Sequence, residues 1–428
     1  MKQIYFLREQ KVVKTLKKER LITNICFYIC CGKKSMIYDF DKVIDRKNNH
    51  STKYNELMQK FGVDDVIPLW IADMDFATAE PVVRALKEKA EHGIFGYVYR
   101  PDEYFDSFIR WQKRRYGWEV KKELLSFSIG IVPALGALIR QFSEKGDKIL
   151  IQTPVYSEFY DINHDNERTV IENRFIEKDG VYTPDFKDLE EKLKEKPKLL
   201  ILCNPQNPIG YVWSYEELKT IGDLCIKYNV PVISDEIHSD LTLWDNRHIP
   251  MASVSEEIRK NTITCTSTGK AFNVAGLQCA TIVFNTPEEK KKFDRFWKDL
   301  EVHRNNPFNL VATMAAYTDE GEEYLIQLKK YLEDNIMFVH NYLKENIPQI
   351  KSNIPQATYL VWLDCRDLKL SQPDLEEFML KKAKLGLNPG RVFQKGLEGF
   401  MRLNTACPGS VLEKAMKQLK EAVDNLEI

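Results

Sequence analysis

The sequence offers little that would tie it to zinc, disulfides or a lipid bilayer. Its nine cysteines are odd in number and scattered, and none forms a Cys-x-x-Cys pair. Neither a disulfide framework nor a structural zinc site suits that arrangement, and free thiols inside apolar segments suit a reducing, cytoplasmic setting. No apolar run approaches the roughly 20 residues a membrane-spanning helix needs. Charge of one sign is not in excess: 62 Lys and Arg face 63 Asp and Glu, a net charge of −1. Nothing draws the whole chain to nucleic acid or to an anionic membrane. No Gly-x-Gly-x-x-Gly follows an apolar run, which leaves a dinucleotide site unsupported. Around Gly269-Lys270, Thr264 and Ala271 occupy the positions where a P-loop needs Gly and Ser/Thr.

What is present is ordinary for a globular chain, 43% apolar and 29% charged residues. Its 428 residues exceed what one hydrophobic core usually serves. The expected division is a large α/β domain over 80–315 and a smaller α+β domain from 36–79 and 316–428. Residues 1–35 stand apart. A basic stretch, Lys11 to Arg20, precedes an apolar run, Leu21 to Cys31, with no small-residue cleavage site after it. They are read as an extension, disordered and outside the fold.

Further on, PVVRALKEKAEHG from Pro81 has helical periodicity and a terminal Gly93. A second helix is expected from about Pro133, ended by Gly146. Four apolar runs follow, DKILIQTP, KLLILCNP, VPVISDEI and NTITCTST, mostly alternating with helical stretches. Strands apolar throughout and separated by helices imply a parallel sheet buried on both faces. Each run ends in polar or aromatic residues: Tyr156, then Asn204 to Gly210, then Asp235 to His238, then Ser267 to Lys270. Parallel sheets bind ligands beyond the carboxyl ends of their strands, so these groups can converge. Nearer the C-terminus, TYLVWLDC and GFMRLNTA read as strands, the second carrying Arg402, and VLEKAMKQLKEAVDNL as an amphipathic helix.

Those strand ends contain the parts that a pyridoxal 5′-phosphate site requires. The cofactor needs a lysine for its aldehyde, an acid to keep its pyridine nitrogen protonated, a donor for its phenolic oxygen and backbone N–H groups for its phosphate. An arginine fork suits the substrate carboxylate. Singly, each residue has a plainer explanation. A lysine after a strand is usually a surface charge, an aspartate a cap, and an Asn-Pro-Gly cluster a turn. The order Asn-Pro-x-Asn-Pro-x-Gly, Asp-Glu, Ser-x-x-Lys is far more specific than any member.

In that order the chain resembles the fold-type I aminotransferases, from Met36 to the C-terminus. IADMDF (71–76), SDEIHSD (234–240), KAFNVAGL (270–277) and FMRLNTACP (400–408) resemble the MalY/PatB branch, which contains carbon–sulfur β-lyases such as cystathionine β-lyases. The resemblance implies that Lys270 carries the cofactor, Asp235 pairs with its pyridine nitrogen and Asn207 bonds its phenolic oxygen. Tyr156 would stack on the ring, with Lys270, Asp235 and Tyr156 as the catalytic set. Ile131, Val132 and Ser267 would hold the phosphate, and Tyr97 would reach the phosphate of a neighbouring subunit in a homodimer. Arg402 would hold the substrate carboxylate. There are departures: His238 stands where many relatives have tyrosine, Gln278 where many have a phosphate-binding arginine, Gly269 where a second serine is common, and Gly409 where the branch often has arginine. The expected reaction is elimination of a thiol from a sulfur amino acid, giving pyruvate and ammonia. The alternative is transamination by the same residues.

Overall fold

A computed structural model describes residues 36–426; the expectation for residues 1–35 lies outside them. The chain divides into two contact units, one ending at Asp39 and one running from Phe40, and the second carries the fold. Its main sheet has seven strands: β1 (Leu125–Ser128), β2 (Lys148–Thr153), β3 (Thr169–Arg174), β4 (Leu199–Cys203), β5 (Val232–Asp235), β6 (Thr262–Thr266) and β7 (Ala280–Val283). Their spatial order is β1-β7-β6-β5-β4-β2-β3. β2, β3, β4, β5 and β6 pair in parallel, while β7 runs antiparallel to both β6 and β1.

The apolar runs explain where the core sits. Successive strand residues point to opposite faces, so Ile149, Ile151, Leu199 and Ile201 join one cluster, whereas Leu150, Leu200 and Leu202 join another. The first cluster takes in Leu135, Leu138 and Ile139, and the second Leu218, Ile221 and Cys225. A smaller antiparallel sheet lies later in the chain: β8 (Lys351–Ser352), β9 (Leu360–Asp364), β10 (Asn388–Pro389) and β11 (Phe400–Asn404), in the order β8-β9-β11-β10.

Helix α1 (Glu80–His92) stops at Gly93 as expected, with Gly93 at φ 73°. Helix α2 differs from expectation, spanning Ile131–Phe142. Pro133 lies inside the first turn, where a missing N–H costs nothing, so it does not mark the start. The end comes early because Ser143 is extended and its hydroxyl donates to the Ile139 carbonyl (2.6 Å); Gly146 belongs to the next turn. Helix α3 (Tyr215–Lys227) opens with a capping box between Ser214 and Glu217. The long α4 (Asp319–Asn346) packs against β8 and against α5 (Gly409–Asp424).

Candidate active site

Sheet register sets the site. Asp235 on β5 lies abreast of Cys203 on β4 and Cys265 on β6. Asn207 is therefore four residues past the common level and Lys270 five. Between β4 and α3, the turn 204–210 is fixed by Gln206, whose Nε2 donates to the carbonyls of Gln152 and Pro154 (2.8 Å each). This ties the end of β4 to that of β2 and thus to Tyr156. Gly210 closes the turn at φ 67°, and a Cβ there would stand 2.3 Å from the Pro355 Cβ, so only glycine fits.

Asp235 is buried and accepts the Ile237 N–H at Oδ1 (3.1 Å). Burial pushes its carboxyl up to about 7, against a smaller opposing pull from that N–H. The Lys270 amine is drawn down to about 8, first by burial and then by the Arg402 charge, while Asp73 and Asp235 oppose the fall. Its Nζ donates to the Ala72 carbonyl (2.6 Å). Arg402, buried on β11, donates from Nη1 to Asn207 Oδ1 (3.3 Å) and from Nη2 to the Trp70 carbonyl (2.8 Å). The Phe393 ring lies beneath its guanidinium, 4.7 Å from the ring centre. Tyr156 is partly buried and in electrostatic reach of both Arg402 and Asp235.

Other expected residues are less directly joined to this centre. Ile131 and Val132 open α2, whose first N–H groups have no partner within the helix. The Ser267 hydroxyl donates to the Cys279 carbonyl (2.6 Å) and accepts the Gly269 N–H (2.9 Å), so its proton is already committed locally. Tyr97 is 95% exposed and touches none of the other site residues; the Arg304 guanidinium lies over its ring. Gln278 is exposed, at φ 55°.

Several participants escaped sequence reasoning. The backbone of residues 70–73 supplies acceptors for Lys270 and Arg402, and Tyr359 donates to the Ala72 carbonyl as well (2.9 Å). IADMDF marked this segment, but only as a family likeness. Beside Asp235, Glu236 accepts from Ser234 and the Met251 N–H and pairs with buried His248 (2.9 Å). No pattern in the sequence links those positions.

Of the buried side-chain atoms without a hydrogen-bond partner, Arg402 Nε and His238 Nδ1 belong to the groups around Lys270, where a bound polar group would meet them. His238 is held neutral, drawn down to about 3 by burial and by the Lys270 and Arg402 charges. A buried aspartate short of cations, a lowered lysine and an unpaired arginine N–H suit an anionic, ring-bearing ligand such as pyridoxal phosphate. Among the described residues, no cluster of three metal-ligating side chains exists.

The family model for aminotransferase class I and II matches residues 64–419. The chain belongs to that family. Within it, this aminotransferase-family chain is 40% identical to the cystathionine beta-lyase PatB of Bacillus subtilis (strain 168), covering 90% of this chain and 100% of the relative. It is 33% identical to protein MalY of Escherichia coli (strain K12), covering 90% and 99%. These place it in the MalY/PatB branch. The solved structure of cystalysin from Treponema denticola, which contains pyridoxal 5′-phosphate, superposes with a TM-score of 0.86 at 34% identity, over 92% of this chain and 100% of the other.

Proposed function

We propose that this family member is a pyridoxal-phosphate-dependent carbon–sulfur β-lyase that splits a cysteine S-conjugate such as cystathionine into a thiol, pyruvate and ammonia. The reading rests on one observation: Lys270, Asp235 and Asn207 gather at or just past neighbouring strand ends of the main sheet, and Arg402 reaches Asn207 from the middle of β11, in a relative of PatB and MalY.

When bound, pyridoxal phosphate supplies an aldehyde for the amino group and a protonated ring that accepts the electron pair left at Cα. The protein's part would begin with Arg402, whose guanidinium would take the substrate carboxylate and so orient Cα. Asn207, with its Oδ1 on Arg402, keeps its amide N–H₂ for the phenolic oxygen. Asp235 would hold a proton on the pyridine nitrogen, where a cationic ring would return its carboxyl to the ionised form. Lys270, lowered to about 8, is free amine often enough near neutral pH to take the Cα proton. Loss of the thiolate from Cβ completes the elimination, and water then releases pyruvate and ammonia. Tyr156 would stack on the ring, and the N–H groups of Ile131 and Val132 at the start of α2 would receive the phosphate, with the Ser267 hydroxyl joining them by turning away from the Cys279 carbonyl.

Incubation with cystathionine or an S-alkyl cysteine, without any keto acid, tests the reading. Pyruvate and thiol are expected in equal amounts; turnover that needs an added keto acid would make the chain a transaminase instead.

The 80–315 and 36–79/316–428 domain division is part of this proposal, supported by the separate small sheet. So is a homodimer. Ile94, Phe95, Tyr97 and Tyr99 are 54–95% exposed side by side, and a second copy would cover them and bring Tyr97 to its phosphate. Light scattering on Tyr97→Ser and wild type should show a dimer, with cofactor affinity lowered in the variant. A cytoplasmic location is supported by six buried free cysteines, and no helix among the described residues is long and apolar enough to cross a membrane.

A further inference from the structure

Residues 70–76 form an irregular strap whose backbone carbonyls are acceptors on one side. The Trp70 carbonyl accepts from Arg402 Nη2 and Asn388 Nδ2 (2.8 Å each), and the Ala72 carbonyl from Lys270 and Tyr359. Asn404 Nδ2 reaches the carbonyls of Ile71 (2.6 Å) and Asp73 (2.7 Å). The two groups that move the substrate proton and hold its carboxylate thus both lean on this strap.

Its side chains are gripped from elsewhere. Arg46 bonds Asp73 through Nη2 and Asp75 through Nη1 (2.7 Å each), and its Nη2 also reaches the Ser51 hydroxyl (2.9 Å). Lys53, with no exposed side-chain surface, meets Asp75 at 3.0 Å and Asp73 at 3.5 Å. Tyr54 donates to Asp75 (3.1 Å), and the Lys53 carbonyl accepts the Trp70 indole N–H (3.1 Å). The cluster is neutral, two cations against two carboxylates. Burying such charges contributes little to stability compared with apolar residues of the same volume, so its presence needs another reason.

We propose that Arg46, Lys53, Asp73 and Asp75 are positioning residues: by clamping the strap they aim its carbonyls, and through them the Lys270 amine and the Arg402 guanidinium. The clamp acts where the reaction needs geometry most. The Ala72 carbonyl, which already accepts from the free Lys270 amine (2.6 Å), would hold that amine in place while it takes the substrate proton. Besides Asp73 on the strap, the charged or titratable groups facing Lys270 are Asp235 at the end of β5, His238 just beyond it, Arg402 on β11 and Tyr359, which shares the Ala72 carbonyl. The inference rests on the lysine–pyridoxal phosphate reading.

The decisive protein is Lys53→Met/Asp75→Asn, which removes one charge of each sign. It is expected to keep the wild-type near-ultraviolet circular dichroism and to take up pyridoxal phosphate. The pH midpoint of the bound cofactor's visible absorbance, which reports the Lys270 nitrogen, should move by about half a pH unit or more. Its kcat/KM should fall about 100-fold, the cost of an ångström-scale misplacement. Asp75→Glu should recover part of both. A folded double variant with the wild-type midpoint and wild-type kcat/KM would overturn the proposal. Should the double variant not fold, Arg46→Lys decides on the same two readouts: a displaced midpoint with reduced kcat/KM supports the clamp, and wild-type values of both reject it. Absence of cofactor uptake by the wild-type protein would sink the lyase reading itself and this inference with it.

Discussion

Two sides of the site are built in contrasting ways. On the large-sheet side, each functional group stands at or just past the end of a buried parallel strand, and register brings those strand ends level. On the strap side, the groups are backbone carbonyls held by an ion cluster that spans residues 46–75. The first side supplies reactive atoms; the second supplies aim. If that division is right, substitutions on the sheet side should abolish chemistry, and those on the strap side should degrade it while leaving the cofactor bound.

The largest effect belongs to Lys270→Ala. It should lose the visible absorbance of the bound cofactor and reduce kcat on the order of 10⁴-fold or more, since both covalent attachment and proton transfer vanish. Retained absorbance and turnover would end the sheet side's claim to the chemistry.

Asp235→Asn comes next. With the ring nitrogen no longer held protonated, kcat should fall about 10²- to 10³-fold. The same variant has a pH signature in the apoprotein. The Asp235 carboxyl is raised from 3.8 to about 7 in the folded chain, so between those values the folded state binds more protons than the unfolded state. This group's contribution to stability must therefore decline as pH rises from about 4 to 7. Apo Asp235→Asn lacks that loss and should gain in relative melting temperature over the same window. Pyridoxal phosphate should remove the difference by supplying a cation. A difference in melting temperature that stays flat with pH would mean that Asp235 is not buried as a strained acid.

The contrast also explains what could be read from the sequence. β2, β4, β5 and β6 were legible because central parallel strands are apolar on both faces and stand out as runs. Asn207, Asp235 and Lys270 were legible because each follows such a run within a few residues. β1, β3 and β7 were not foreseen: β1 (LSFS) is half serine, and β3 (TVIENR) carries three polar or charged side chains in its second half. The Pro133 start and Gly146 stop assigned to α2 mistook residues that helix ends tolerate for residues that define them. Arg46 and Lys53 could not be linked to Asp73 and Asp75, because ion pairs formed across 20 or more residues of irregular chain leave no period. Ser267 was legible by the same rule, as it follows β6 directly, whereas its bond to the Cys279 carbonyl was not.

Tyr359→Phe gives the smallest and most selective test of the strap. Tyr359 is fully buried and shares the Ala72 carbonyl with Lys270, donating at 2.9 Å against 2.6 Å for the amine. Removing the hydroxyl leaves the carbonyl one partner, so no buried acceptor is orphaned and stability should fall by only about 1 kcal/mol in denaturant titration. The ring keeps its packing and the cofactor keeps its attachment. What changes is the acceptor that parks the released amine: with one donor gone, the carbonyl is less firmly held. A fall in kcat of roughly threefold to tenfold at nearly constant KM is expected. A rise in KM alone would place Tyr359 with Arg402 rather than with Lys270, and would assign the strap's aiming to substrate capture instead of proton transfer.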